Sequence, residues 1–389
     1  MSDAVKSVAV FTLTLPRDTP YLGATRPGEE PNAQGYFVRK GNRTVYPAFD
    51  RSVLVRIETA NGVVGWGETY GLVAPGAVGA IINDLLAGFT IGRDPQDPSL
   101  IYDDLYDLMR VRGYTGGFYV DALAAIDIAL WDIAGKQQGK PIHAVLGGAV
   151  HTQIPAYVSG LPESTRAKRA ALAKSWQERG FNAFKFATPV ADDGAAAELK
   201  TLRSALGQDA RIAADMHWAQ SADQALALIA EMEPYGLWFA EAPVRTEDVC
   251  GLEKVTNMSA TPIAVGEEWR TEHDFLQRVT RCKIAIVQPE MGHKGITNFM
   301  RIGAIAAAHS IEIIPHATIG TGIFLAASLQ ASAALGAVTC HEFQHSIFEP
   351  NRRLLVGNMD CEKGAYTLPT GNGLGVELSS EALELLQPL

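Results

Sequence analysis

From residue 154 onward this chain repeats one pattern eight times: a short apolar run of strand character, then an amphipathic stretch rich in Ala, Leu, Glu and Lys. The strand-like runs fall at Ile154–Val158, Ala183–Ala187, Arg211–Ala214, Leu237–Ala240, Ile263–Val265, Ile284–Val287, Ile311–Ile314 and Ala337–Cys340. Helical patterns such as Ser164–Arg179 and Ala222–Glu233 separate them. Strands that alternate with helices predict a parallel sheet, and eight such units at this spacing predict a closed barrel. The competing arrangement is an open doubly wound sheet. No GxGxxG opens any of the helices, so a dinucleotide-binding fold has nothing to support it.

The residues ahead of the barrel read differently. Val8–Leu15 and Val53–Thr59 are strand-like, and Asn61-Gly62 marks a tight hairpin between Val53–Ala60 and Val63–Glu68. Between the first two strands, residues from about Arg17 to Asp50 are polar and rich in Gly, Pro and Arg, the pattern of a lid or a disordered tether. The clearest helix runs from Asp121 to Gln138, and from about Asn358 a Gly-rich tail is expected to rejoin the first domain. The expected division is a capping domain over 1–130 with its lid at 17–50, a barrel over 131–357, and a returning segment over 358–389.

At 389 residues the chain is too long for one ordinary core. Its net charge of −10 argues against a nucleic-acid partner, which requires a basic patch to neutralise phosphates. An anionic substrate would need local cations to overcome that field, and a bound divalent metal supplies them. Cys250, Cys282, Cys340 and Cys361 are scattered without a CxxC pair, which suits a reduced intracellular protein. The polar start Met1–Lys6 has no signal-peptide character, and no apolar run reaches the length of a membrane span. A cytoplasmic protein without membrane attachment is expected.

The chemistry-bearing residues follow the strands. Asp215-Met216-His217 follows the third strand, Glu241 the fourth and Glu267 the fifth, with successive carboxylates 26 residues apart in both intervals. In a barrel the C-terminal strand ends open onto one face, so three carboxylates on adjacent strands converge. An oxygen-only set of this kind suits a hard cation, magnesium ahead of zinc. His217 stands two residues beyond Asp215, so both side chains point the same way while the chain stays extended. His316 ends the seventh strand, and His341 with Glu342 is expected at the end of the eighth.

These residues carry a family resemblance. The run Ala124–Lys136, then Pro141–Gly148, resembles the signature of the mandelate racemase branch of the enolase superfamily. Asp215-x-His217, Glu241-Ala242-Pro243, Gly266-Glu267, Gln288-Pro289, Pro315-His316 and Glu342 follow in the family's order and spacing. The resemblance implies an α+β capping domain over a (β/α)7β modified TIM barrel. It implies Asp215, Glu241 and Glu267 as Mg2+ ligands, with the metal acting as Lewis acid on the substrate carboxylate and stabilising the enediolate left when the α-proton departs. Many relatives use a Lys-x-Lys base on strand two, but here the segment reads Lys185-Phe186-Ala187 and that base is absent. The resemblance to galactonate and mannonate dehydratases implies His217 in acid–base chemistry at the α-carbon and His316 as general acid on the leaving β-hydroxyl. Where the family has an aspartate to pair with the strand-seven histidine, this chain has Glu290, which keeps the charge on a longer arm. Glu342, and Lys185 beside it, are expected to contact the substrate carboxylate.

In this superfamily capping loops choose the substrate. The lid carries Tyr21, Arg26, Tyr36, Arg39, Lys40, Arg43 and Tyr46, and these cations would suit a hydroxylated acid or a diacid. Arg26, Tyr36, Arg39 and, from a second loop, Tyr114 are the candidate substrate-binding residues. The expected activity is dehydration of an aldonate or aldarate, a small carboxylate partner, to a 2-keto-3-deoxy acid. Epimerisation, racemisation or cycloisomerisation through the same intermediate is the alternative, and a non-catalytic metal- or ligand-binding relative is the third reading. Relatives commonly assemble, so a homo-oligomer is expected.

Overall fold

The computed structural model describes residues 3–20, 22–317 and 320–389; Met1, Ser2 and the lid residue Tyr21 lie outside that set. Strand β1 (Val5–Pro16) is followed by a long excursion that carries the small hairpin β2 (Tyr36–Val38) and β3 (Val45–Pro47), then by β4 (Phe49–Thr59) and β5 (Val64–Tyr70). β1, β4 and β5 pair antiparallel, and Gly62 takes a φ of 85° in the hairpin turn that Asn61-Gly62 predicts. The segment 17–50 is therefore neither structureless nor a tether. Its hairpin is held around a buried ion pair, Arg39 Nη1 to Glu29 Oε2 at 2.8 Å, with the Lys40 and Arg26 N–H groups also donating to Glu29.

The long helix Gly117–Gln138 packs on this sheet and runs unbroken through residue 130. Val53, Val55 and Ile57 share one core with Ile126, Leu130 and Ile133. The approach is closest at Gly65 and Gly67, where an added Cβ would lie 2.2 Å from the Ala129 carbonyl oxygen and 1.8 Å from that of Ala125. The polar residues of the helix's Asp-rich signature join it to the rest of the chain. Asp132 accepts from the N–H groups of Trp66 (3.0 Å) and Leu374 (2.9 Å) and from Lys136 (2.8 Å). Asp127 accepts from the Thr297 N–H at 2.9 Å and the Thr297 hydroxyl at 2.6 Å. That pairing lies just after Gly295, whose φ of 70° and ψ of 173° break the helix Met291–Ala308, so Asp127 caps its second half from another domain.

The barrel strands are β6 (Gln153–Ser159), β7 (Ala183–Ala187), β8 (Arg211–Asp215), β9 (Leu237–Glu241), β10 (Ile263–Val265), β11 (Ile286–Val287), β12 (Glu312–Ile313) and β13 (His341–Phe343). They pair in parallel in chain order, and β13 returns to pair with β6. The first seven strands are each followed by a helix and β13 by the short helix His345–Asn351, a (β/α)7β barrel under an N-terminal cap. Tyr157, Ala183, Ala213, Phe239, Ala264, Ile286, Ile314 and Cys340 pack together as a core distinct from the larger one between strands and helices.

The last strand departs from expectation. Residues 337–340 hold only an isolated bridge from Val338 to Ile313, and the eighth strand is His341–Phe343. The chain hydrogen-bonds first to one neighbour, Ile313 N–H to the Ala337 oxygen and Thr339 N–H to the Ile313 oxygen, and then pairs its next residues with β6. That switch closes the barrel, and an apolar run cannot reveal which part of it finds a partner on which side. His341 thus begins the strand instead of ending it.

After β14 (Leu355–Gly357), the hairpin β15 (Cys361–Glu362) and β16 (Ala365–Thr367) adds antiparallel to the opening of β6. Strand β17 (Val376–Leu378) pairs with β14, and β18 (Gln387–Pro388) joins β1 of the cap. No helix among the described residues is long and apolar enough to cross a membrane.

Candidate active site

Asp215 closes β8, Glu241 closes β9, and Glu267 follows β10 by one turn residue. Gly266 supplies that turn at a φ of 114°, with space for a Cβ denied by Trp269 and Val287 at 3.0 and 3.1 Å. Non-glycine residues with positive φ also gather here: His217 at 50°, Trp218 at 52° and Ala242 at 46°. Such backbone is uncommon outside glycine and persists where surroundings enforce it. The Asp215 Oδ1 accepts from the His217 N–H at 2.9 Å, and the Met216 and Trp218 N–H groups donate to the carbonyls of Glu241 and Ala242. Asp215 and His217 do meet, with Oδ2 and Nε2 2.9 Å apart. They meet through this tight turn and not through strand alternation, because the chain stops being extended at His217.

Each carboxylate has a cationic or imidazole neighbour. Lys185, buried on β7, holds Glu241 Oε1 at 2.6 Å and Glu342 Oε1 at 3.1 Å. Gln288 donates to the other oxygen of Glu241 at 2.6 Å. His316 presents Nδ1 to Glu290 Oε2 at 2.8 Å and Nε2 to Glu267 Oε2 at 3.0 Å, with Glu342 Oε2 at 3.5 Å. Both ring nitrogens face carboxylates, which favours the charged imidazole. Burial alone would push this imidazole down, but Glu267, Glu342 and Glu290 outweigh it and hold it at about 10. Glu290 is anchored by accepting the Gly292 N–H at 2.9 Å at the start of the helix Met291–Ala308, and its longer arm reaches His316.

Burial raises the carboxyls of Glu241 and Glu267, and Asp215 adds repulsion to both. Asp215 itself is lowered to about 2, because His217 and Lys185 outweigh the cost of its burial. Among the described residues no three of these side chains are drawn around one point as ligands, since each leans toward its own partner. The donor set nevertheless fits a hard divalent cation. Three carboxylates stand on adjacent strand ends, two with their charge disfavoured, and buried Glu267 Oε2, Glu342 Oε1 and Gln288 Oε1 make no aligned hydrogen bond. A cation there offsets the repulsion that raises Glu241 and Glu267.

The substrate-binding residues expected from the lid are dispersed. Arg39 is buried inside the lid on Glu29, with Nη2 donating to the Gly23 carbonyl. Arg26 reaches Asp192, after β7, at 2.6 Å, and so clasps the lid to the barrel. The Tyr36 hydroxyl accepts from the Ala74 N–H and from Arg51, bracing the cap. Tyr114 is 56% exposed on a peripheral loop. The lid residue that does reach the strand ends was not singled out in the sequence: Asn42 Nδ2 lies 3.3 Å from His217 Nδ1 and 2.8 Å from the Tyr46 hydroxyl. An Asn in a Gly-Asn-Arg turn has no signal that distinguishes it from a solvated loop residue. In the sequence Gln288 stands only as part of a motif and Glu68 only as the end of a strand, and neither shows a contact, because their partners lie far away in the chain. Glu68, on β5, accepts from the Thr321 hydroxyl (2.8 Å) and the Phe324 N–H (3.1 Å), tying the cap to the segment beyond His316.

Comparison with known proteins agrees with this architecture. Residues 44–147 match the mandelate racemase / muconate lactonizing enzyme N-terminal domain, and residues 168–382 match the enolase C-terminal domain-like family. The chain is 33% identical over 357 residues to a D-galactonate dehydratase of Ralstonia pickettii, covering 87% of this chain and 92% of that one. It is 31% identical over 350 residues to a D-galactarolactone cycloisomerase of Agrobacterium fabrum, covering 86% and 91%. Among solved structures, a member of the enolase superfamily from Agrobacterium tumefaciens is 69% identical over all of both chains, with a TM-score of 0.98. One neighbour of the same fold, a racemase from Streptomyces coelicolor A3(2) that is 23% identical over 98% of this chain and 100% of that one with a TM-score of 0.85, is described with bound magnesium.

Proposed function

The chain belongs to the enolase superfamily, with the domains of its mandelate racemase / muconate lactonizing enzyme branch, and from that premise we propose that it is a magnesium-dependent acid-sugar dehydratase. The observation that carries the reading is the juxtaposition of Asp215, Glu241 and Glu267 on three adjacent strand ends with His217 at one side and the Glu290–His316 pair at the other. Asp215, Glu241 and Glu267 would hold the cation, which supplies Lewis-acid charge to the substrate carboxylate.

His217 takes the α-proton of the bound acid. The β-carbon–oxygen bond then breaks, and His316 gives its proton to the departing hydroxyl, which leaves as water. The enol that remains becomes the 2-keto-3-deoxy acid. Glu290 orients His316 through Nδ1 and keeps Nε2 directed at the reacting atoms. Lys185 and Glu342, linked at 3.1 Å, border the substrate carboxylate. Asn42 closes over His217 from the lid and limits water there. Each positioned acid or base typically contributes about 10²–10⁴-fold in rate.

A second reading draws on the placement of the histidines. Strands three and seven lie across the barrel from one another, so His217 and His316 address opposite faces of an α-carbon. A substrate without a β-leaving group would then be epimerised or cyclised. A screen of aldonic and aldaric acids with the purified protein and magnesium in D2O, followed by proton NMR, separates the two. A 2-keto-3-deoxy product that His217→Asn and His316→Asn abolish supports dehydration. Deuterium at the α-carbon without loss of water supports the second reading, and absence of both sinks this function.

A further inference from the structure

Besides the lid, the cap makes a second contact near the strand ends, and it engages the segments that follow both Glu290 and His316. The last three residues of β5 form it. Glu68 and Thr69 are fully buried. Glu68 accepts from the N–H groups of Thr321 and Phe324 and from the Thr321 hydroxyl, so it holds the start of the helix Ile323–Ala333, the next helix after His316. Thr69 donates its hydroxyl to the Gly292 carbonyl at 2.5 Å. The Tyr70 ring stacks on side chains from both helices, His293 at 3.9 Å and Phe324 at 5.8 Å. A Cβ on Gly292 would stand 3.0 Å from Tyr70 and 3.1 Å from Phe324, so this close approach needs a glycine.

Gly292 links the contact to the chemistry. Its carbonyl takes the Thr69 hydroxyl and its N–H donates to Glu290 Oε1 at 2.9 Å, while Glu290 Oε2 faces His316 Nδ1 at 2.8 Å. Glu290 is the N-cap of the helix Met291–Ala308 and forms a bridge of parallel-strand type with His316. Glutamate has one more rotatable bond than aspartate, so the direction of Oε2 depends on where Oε1 is held. Here the holder is a backbone group that the cap itself fixes. His293, next along, adds a second hold, its Nδ1 lying 2.8 Å from Asp121 of the capping helix. Close-packed contacts of this kind pass a displacement on instead of absorbing it.

We infer that Thr69 and Tyr70 of the cap are positioning residues for the general acid: they fix Gly292, Gly292 fixes Glu290, and Glu290 aims His316. The cap then controls departure of the β-hydroxyl as well as entry of the substrate, whereas removal of the α-proton remains the work of His217. The inference rests on the dehydratase reading for the step that His316 serves.

The test uses the whole protein with magnesium and three variants. Thr69→Val keeps the shape and removes the donor, Thr69→Ser restores the donor, and Tyr70→Leu removes the stack. In D2O the enediolate either loses its β-hydroxyl or takes up a deuteron, so the ratio of α-deuterated acid to 2-keto-3-deoxy product reports the general-acid step against the proton transfer. That ratio is expected to rise about tenfold in Thr69→Val and Tyr70→Leu, and to stay within about twofold of the parent in Thr69→Ser. Adding Thr69→Val to Glu290→Gln is expected to change the ratio by less than about threefold, because both act through one chain of contacts. An unchanged ratio while both rates or Tm fall would reduce the contact to adhesion between domains and overturn the inference. Full additivity of Thr69→Val and Glu290→Gln would overturn it too. A readout that needs no turnover is the ring-nitrogen NMR resonances of His316, identified by their loss in His316→Asn. They are expected to shift in Thr69→Val and to return in Thr69→Ser, and resonances that stay in place overturn the inference. If they shift while the parent dehydrates no acid, the dehydratase reading fails and the positioning of His316 stands.

Discussion

Replacing Asp127 by Asn should make the protein less sensitive to pH. Asp127 is 1% exposed and sits between the capping helix and the broken helix Met291–Ala308. Burial raises its carboxyl from 3.8 to about 7, although the Thr297 hydroxyl and the Thr297 and Ile296 N–H groups favour its anion. Between those values the unfolded chain has released this proton and the folded chain retains it. Stability contributed here is therefore whole below about pH 4, falls as pH rises to about 7, and is level above. At about 1.4 kcal/mol per unit, roughly 3 units amount to some 4 kcal/mol, of which about 3 kcal/mol is lost between pH 5 and pH 7. Asparagine mimics the protonated acid without titrating. Its carbonyl can accept the Thr297 N–H while its amide donates to the Thr297 oxygen, which also accepts from Trp131 Nε1 at 3.0 Å. Urea denaturation of both proteins from pH 5 to pH 8 should show Asp127→Asn gaining on the parent by about 2–3 kcal/mol as pH rises. Other groups contribute equally to both curves and cancel in the difference. A difference constant to within about 1 kcal/mol across that range would refute the reasoning. Asp127→Ala should lose stability at every pH, by about 1–3 kcal/mol for each buried N–H left without an acceptor.

Further outcomes follow from the geometry. Gly67→Ala, with its Cβ 1.8 Å from the Ala125 oxygen, should force the cap sheet from its helix and cost roughly 3 kcal/mol or more, read as a lowered Tm. Glu290→Gln should reduce turnover about 10²–10⁴-fold with little change in Tm; a loss below threefold would mean that the 2.8 Å contact to His316 does not orient it for chemistry. Magnesium at about 100 times its Kd should stabilise the parent by about 2.7 kcal/mol, and Glu267→Gln should remove most of that shift. Equal shifts in both proteins would exclude Glu267 as a ligand. Asn42→Ala should lower kcat/KM about tenfold by loosening the lid over His217, and an unchanged value would reduce the 3.3 Å contact to a coincidence of packing.

The legibility of this chain differs by element. Strands β7 and β10 begin and end where their apolar runs do, because a buried parallel strand has few ways to be misread. The eighth strand shifted by several residues because its run touches β12 before it pairs with β6. The lid was the least legible. Its composition gave no hint that Glu29 would bury Arg39, and charge counted along a sequence says nothing about which charges cancel. Arg26 and Arg39 appear there as cations suited to an acid, and in three dimensions each is paired with a carboxylate.

The sequence by itself determined the strand–helix alternation of the barrel and the placement of Asp215, Glu241, Glu267, His217 and His316 at or just after strand ends, and the resemblance supplied the cap. The alternation and the placement follow from periodicity and spacing, which are local properties carried by the order of residues. Only the tertiary structure decided that Glu290 spans its extra methylene to His316 and that Asn42 of the lid meets His217. These are contacts between residues far apart in the chain. Pairing, burial and desolvation act on distances in space, and no reading along the chain contains those distances.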